Sequence, residues 1–257
     1  MKLTILGSGT SVPHPARSSS AYWLEAEGST VLLDCSASAM HRMAQEGLDW
    51  AGLDAIWISH FHLDHCGGLA PFLFGTQYAP QTQKRNKPLT IFGPQGLCRL
   101  IEKFDAVDDY GLFEQPFPLE VREVRHLEQF EIAPGLSAAA VKTPHTDESL
   151  ALHLRDAEDR TLMYSADTGM SDDLAALARH AGLMLLECSF IRDKPVKKHL
   201  ELAEAVYLIR KAQPKQAVLT HLYPEWDDVD FAREIAKFSP GVPILKARDG
   251  MVIEVEK

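Results

Sequence analysis

Five short apolar runs in this chain each end on a residue that can bind a metal or move a proton. "AIWIS" runs into His60, "AAAVKTP" into His145, "TLMYSA" into Asp167, "LMLL" into Glu187 and "AVLT" into His221. A core histidine sits inside an apolar pattern, whereas here the polar residue repeatedly marks its edge. In sheets covered by helices, the loops at one end of the strands are where sites are built. The pattern therefore restricts the chain to folds that bring many strand ends together.

Strand-like segments are read at 2–7, 21–28, 29–36, 53–60, 89–94, 120–126, 129–134, 136–145, 149–156, 160–167, 183–189, 216–221 and 251–257. Helical spacing is read at 38–48, 69–79, 94–106, 171–182, 198–213 and 228–238. Their interleaving predicts an α/β protein with mixed sheets covered by helices. No linker or repeat interrupts the order, so residues 1–257 are expected to form one domain. The four cysteines, Cys35, Cys66, Cys98 and Cys188, are scattered and support neither a disulfide framework nor a zinc finger. "MKLTILGSGTSVP" turns glycine-rich too early for a signal peptide, and no apolar run approaches membrane-spanning length. A cytoplasmic location with free thiols and no membrane contact is expected. The net charge of −10 argues against a nucleic-acid-coating role, which needs a basic surface.

The densest stretch is "SHFHLDHCGG" (59–68), with His60, His62, Asp64 and His65 within six positions. The pattern H-x-H-x-D-H is expected by chance on the order of 10⁻³ times in a chain of this composition, so it is specific. Imidazole nitrogen and carboxylate oxygen both bind borderline metals at about 2.0–2.2 Å. A mononuclear catalytic site needs about three protein ligands. Here seven candidates are available: His60, His62, Asp64, His65, His145, Asp167 and His221. That number suits two divalent ions sharing a bridge, with a bridging hydroxide as nucleophile. Asp167 is the natural bridge, because it comes from a different strand end. Gly67 and Gly68 would let the backbone approach the metals closely. Nitrogen and oxygen donors accept zinc, manganese or iron, and zinc is the first expectation.

"HFHLDHCGG", followed in order by His145, Asp167 and His221, resembles the metallo-β-lactamase superfamily over essentially the whole chain. Within it the chain looks most like the ribonuclease Z-type branch and its small phosphodiesterase relatives. "ILGSGTSVPHPARSSSAYWL" resembles that branch's N-terminal glycine loop with Pro15, Arg17 and Ser20, and Asp34 in "LLDCSASAM" matches a further position. "LLECSF", "KKHLELAEA" and "LTHLYP" resemble its later segments around Glu187, His199 and His221. The resemblance implies an αββα sandwich, two mixed sheets flanked by helices, with the site at one edge. It implies that His60, His62 and His145 hold one metal, that Asp64, His65 and His221 hold the other, and that Asp167 bridges. It implies a catalytic set of His199, Glu187 and Asp64, with His199 protonating the leaving oxygen and Glu187 orienting it. Arg17 is a candidate phosphate contact, since a guanidinium binds such oxygens in pairs. Trp226 is a candidate for the pocket lip. A homodimer is compatible with the resemblance.

Two departures bear on substrate. Ribonuclease Z carries a long basic arm between its third and fourth ligand motifs to grip transfer RNA. Here only residues 146–166 separate His145 from Asp167, and they read as a plain hairpin. The cysteine clusters of the cyclic-phosphate phosphodiesterase relatives are also absent. The expected function is thus a dinuclear metal-dependent hydrolase acting on a small or nucleotide-like phosphodiester, with a transfer-RNA substrate disfavoured. The alternatives are ribonuclease Z-type 3′-end processing, hydrolysis of a thioester, lactam or lactone, and a regulatory module that keeps metals without turnover.

Overall fold

A computed structural model describes residues Met1–Lys257. One sheet takes β1 (Lys2–Gly7), β2 (Ala21–Ala26), β3 (Ser29–Leu33), β4 (Ala55–Trp57), β5 (Leu89–Pro94) and β6 (Leu119–Val124). The other takes β7 (Gln129–Ala133), β8 (Leu136–Lys142), β9 (Leu150–Asp156), β10 (Thr161–Tyr164), β11 (Leu183–Glu187), β12 (Gln216–Thr220) and β13 (Ile244–Lys246). The last strand, β14 (Val252–Glu254), returns to the first sheet beside β1. Strand orders are 14-1-2-3-4-5-6 and 13-12-11-10-9-8-7. Both sheets are mixed: β1–β2–β3 and β7–β8–β9–β10 pair antiparallel, while β3–β4–β5–β6 and β10–β11–β12–β13 run parallel.

Alternation along each strand explains the layering. In β3, Val31 and Leu33 face a core shared between the sheets, while Leu32 faces out. In β11, Leu183 and Leu185 face that same core, while Met184 and Leu186 face out. Successive side chains point to opposite faces, so a strand buried on both sides reads as an unbroken apolar run. The outer face of the first sheet is covered by α1 (Ala39–Gln45), α2 (Leu63–Cys66), α3 (Leu69–Tyr78) and α4 (Leu97–Asp105), through Met43, Leu69, Phe72 and Ile101. The outer face of the second is covered by α5 (Asp172–Leu177), α6 (Leu202–Ala212) and α7 (Phe231–Ala236), with Val206 and Ile209 of α6 fully buried. This is the αββα sandwich. No helix is long and apolar enough to cross a membrane.

Several boundaries differ from the sequence reading, and two matter for the site. The helix expected over 198–213 begins at Leu202, because Glu201 and Glu204 form a reciprocal capping box that sets its start. His199 therefore lies in an irregular loop ahead of the helix. The helix expected over 228–238 is shortened to α7, which Asp230 caps, and a separate 3₁₀ turn at Pro224–Asp227 precedes it. Trp226 in that turn is fully buried among Leu186, Leu219 and Leu222, so it is a core residue and not a pocket lip. The glycine reading is also corrected. A Cβ on Gly68 would strike the Ser36 carbonyl, and the Gly68 N–H donates to the Cys35 carbonyl at 2.8 Å. Gly68 lets the ligand loop pack on the segment after β3, rather than approach a metal.

Candidate metal centre

The donors converge because β8, β10 and β12 point the same way in the second sheet, so the ends that carry donors lie at one edge of it, where the loop after β4 meets them. β4 leads through Ile58 and Ser59 to His60, after which a one-turn helix, α2, carries Asp64 and His65. His62 stands just ahead of α2 in extended conformation. From the second sheet, β8 leads to His145, β10 to Asp167 and β12 directly to His221. Ala166 and His221 hold left-handed backbone (φ 52° and 56°), as does Asp34 after β3 (φ 58°). Left-handed backbone at non-glycine residues costs energy and clusters where a site over-determines it.

All seven expected metal donors come together. The ligand atoms of His60, His62, His145 and Asp167 lie within 4.8 Å of one another, and so do those of Asp64, His65 and His221. Asp167 stands between the two sets. Its Oδ2 is 3.7 Å from His60 Nε2 and 3.6 Å from His145 Nε2. Its Oδ1 is 3.2 Å from His65 Nε2 and 3.4 Å from His221 Nε2. Asp64 Oδ2 closes the second set at 3.4 Å from His221 Nε2 and 3.8 Å from His65 Nε2. His62 faces His145 Nε2 through its Nδ1 at 3.0 Å. A tetrahedral shell with bonds of about 2.0–2.2 Å puts its donors roughly 3.3–3.6 Å apart, so these spacings suit a cation better than hydrogen bonds. His60 Nε2, His65 Nε2 and Asp167 Oδ1 are buried and have no hydrogen-bond partner. Each such orphan costs about 1–3 kcal/mol when left alone. Three of them aimed at one place fit a divalent cation.

The outer nitrogens explain which atom faces inward. His60 Nδ1 lies 3.0 Å from Ser59 Oγ, His145 Nδ1 donates to the Lys198 carbonyl at 2.9 Å, and His221 Nδ1 lies 3.0 Å from Ser189 Oγ. His65 Nδ1 is 2.6 Å from Asp34 Oδ2. Asp34 also accepts from the Ser59 N–H (2.7 Å), Ser59 Oγ (2.8 Å) and the Tyr164 hydroxyl. Such partners fix ring orientation and leave Nε2 free for a ligand. Burial, reinforced at His60 by the His65 charge, holds His60 and His145 below the ordinary imidazole value and keeps their lone pairs available. Burial also opposes charge on His65, yet Asp167 and Asp34 hold it well above that value. Asp167 stays ionised despite complete burial, because His221 and His65 pull it well below the carboxylate range.

His199 and Glu187 meet beside this centre. His199 Nδ1 is 2.8 Å from Glu187 Oε1, and Glu187 also accepts from Thr168 N, Ser189 N, Ser189 Oγ and Leu200 N. Against burial, the hydrogen bond and charge of Glu187 raise His199 above the usual imidazole value. Its ring stacks on His221 at 5.3 Å. Arg17 stands apart. Its guanidinium pairs with both oxygens of Asp227 at 2.6 and 3.1 Å and reaches the Tyr223 carbonyl at 3.5 Å. It clasps the N-terminal loop to the turn after β12 and is already occupied. Asp34 is the functional residue that sequence reasoning passed over. Its only signal was a matched position at the end of an apolar strand.

Fold and donor set together define a metal-dependent hydrolase of the metallo-β-lactamase fold. The probable metallo-hydrolase YhfI of Bacillus subtilis is 25% identical over 257 aligned residues, covering 99% of this chain and 100% of the relative. Its crystal structure shares the fold with a TM-score of 0.80 at 22% identity, over 98% of each chain. A ribonuclease Z of Methanosarcina acetivorans is 26% identical over 306 aligned positions, covering 99% of this chain and 98% of the relative. The short form of human tRNase Z matches with a TM-score of 0.80 at 22% identity over the whole of both chains. The family model described as anti-Pycsar protein Apyc1 matches residues 1–239, and the chain belongs to that family.

Proposed function

We propose that the chain is a phosphodiesterase working with two divalent ions, zinc first among them, that share Asp167. The observation that carries this reading is the division of the Asp167 carboxylate, one oxygen turned to His60 and His145, the other to His65 and His221. A pair of ions there would bring a shared water toward ionisation near neutral pH and offset charge gathering on phosphoryl oxygens. His60, His62 and His145 would hold one ion, and Asp64, His65 and His221 the other. The inner core draws on strands from both halves of the chain, which supports treating residues 1–257 as one domain.

The chain's own groups supply the remaining chemistry. Glu187 holds the Nδ1–H of His199, which leaves Nε2 as the exchangeable position. The hydrogen bond and charge of Glu187 favour the protonated ring, so His199 is placed to give a proton to a departing oxygen. His199 Nδ1 also lies 4.0 Å from Asp167, but that nitrogen is engaged by Glu187, so the proton-donor role is preferred to a ligand role. Asp64, half-buried where Asp167 is buried, closes the catalytic set on the open side.

Transfer-RNA processing is the second reading, since ribonuclease Z relatives share the fold and family resemblance. The segment between His145 and Asp167 argues against it. β9 and β10 are joined by a tight turn at 157–160, with no arm. The ribonuclease Z alignment spans 306 positions against 257 residues here, so that relative carries sequence this chain does not. The test is turnover of bis(4-nitrophenyl) phosphate and of precursor transfer RNA by zinc-loaded protein. Diester turnover without endonuclease activity is expected. Efficient 3′ cleavage of the precursor, or activity on thioesters alone, would overturn the assignment.

A further inference from the structure

One aromatic layer runs outward from the centre, and its outer members, Phe190 and Tyr223, have no role in metal binding or proton transfer. His199 stacks on His221, Phe190 meets His199 edge-on at 6.4 Å, and Tyr223 stacks on Phe190 at 4.7 Å and 24°. Exposure rises along it. His221 is buried, the Phe190 side chain is nearly so at 8%, and Tyr223 is half-exposed. Tyr223 is thus the open end of a layer whose inner end is the proposed proton donor.

The layer is held rigidly. The Tyr223 N–H donates to the Ser189 carbonyl, the Ile191 N–H to Glu225, and the Trp226 indole N–H to the Cys188 carbonyl. Pro224 follows Tyr223, and Arg17 reaches the Tyr223 carbonyl from the N-terminal loop. These links tie the segment carrying Phe190 to the turn carrying Tyr223, so the stack is formed before any ligand arrives. Preformed aromatic faces bind flat rings at low entropic cost.

Exposed apolar side chains also stand beside site residues in sequence. Leu63, between ligands His62 and Asp64, is 69% exposed; Met170, three residues past Asp167, is 40% exposed; and Val196, three before His199, is 45% exposed. We propose that the Phe190–Tyr223 stack is the binding face for an aromatic group on the leaving-group side of the centre, a nucleobase or an aryl ester. This rests on the reading of His199 as proton donor, because Phe190 packs against that ring. Tyr223 is then the residue that sets specificity, with Phe190 as its support.

The test compares phenylphosphonate with ethylphosphonate by calorimetry on zinc-loaded wild type, Tyr223→Ala and Tyr223→Phe, together with bis(4-nitrophenyl) phosphate kinetics. Wild type should bind phenylphosphonate about tenfold more tightly. Tyr223→Phe should keep that ratio, and Tyr223→Ala should bring it close to one with metal content unchanged. KM for the aryl diester should rise about tenfold in Tyr223→Ala while kcat stays within about twofold. Equal affinities in wild type, a ratio that survives Tyr223→Ala, or an equal loss for both phosphonates would overturn the proposal. A preference for phenylphosphonate in a protein that turns over no diester would leave the platform standing and sink the phosphodiesterase reading instead.

Discussion

The two donor sets that meet at Asp167 are held in different ways. In the second set, the fully buried His65 is clamped by Asp34, which is fixed in turn by Ser59 and Tyr164, and His221 rests on Ser189. In the first set, His60 and His145 have comparable backing from Ser59 and the Lys198 carbonyl. His62 does not. It is exposed, it faces inward through Nδ1, and its one hydrogen-bond contact is His145. Partners behind a ligand typically change metal affinity by about 10–100-fold. On the proposed two-ion reading, the half around His65 should hold its ion more firmly, and the half around His62 should exchange it more readily.

Breaking the open half should have the largest effect. His62→Ala should lose one ion per chain on dialysis against a weak chelator, keep the other, and fall to background turnover; metal analysis of the dialysed protein checks this, and loss of both ions together would dissolve the distinction. His199→Ala should next lower kcat by about 10²–10⁴ while both ions stay, because its role is proton transfer. Unchanged kcat on an aryl diester would remove it from the mechanism.

Asp34→Asn probes the clamped half alone. It keeps the side-chain shape but removes the charge that His65 answers, so chelator competition should show one ion weakened by about 10–100-fold and the other unaffected. The smallest effect belongs to the Arg17–Asp227 clasp, outside both halves. The Arg17 hydrogen bond and charge hold Asp227 down to about 2. A depressed carboxylate contributes stability above its ordinary value, and that contribution is lost as pH falls toward 2. Asp227 is largely exposed, so the pair is worth about 0–1 kcal/mol. Acid unfolding of Asp227→Asn should therefore be slightly less steep between about pH 4 and 2, with turnover at neutral pH unaltered.

What could be read from residues alone follows from what chemistry restricts. Histidines and carboxylates set at strand ends stand out from an apolar background, so the seven residues that the fold gathers, and the mixed sheets that carry them, were legible in the sequence. Asp34 was not, because its meaning lies in three partner residues, Ser59, His65 and Tyr164, that only folding brings near. The partner of Arg17 was hidden for the same reason: Asp227 lies 210 residues away. The boundaries around His199 were displaced because apolar periodicity extends past the capping box at Glu201, which periodicity does not register. Tyr223 carried no signal in sequence beyond its neighbour His221.

The central claim is that Asp167 joins two ion sites into one centre. Its most direct test is the metal stoichiometry of zinc-reconstituted wild type and Asp167→Ala, measured after desalting without chelator. Wild type should hold close to two ions per chain, and Asp167→Ala should retain at most one and lose diester turnover. A wild type that saturates at one ion, or an Asp167→Ala protein that keeps both, would contradict the shared bridge.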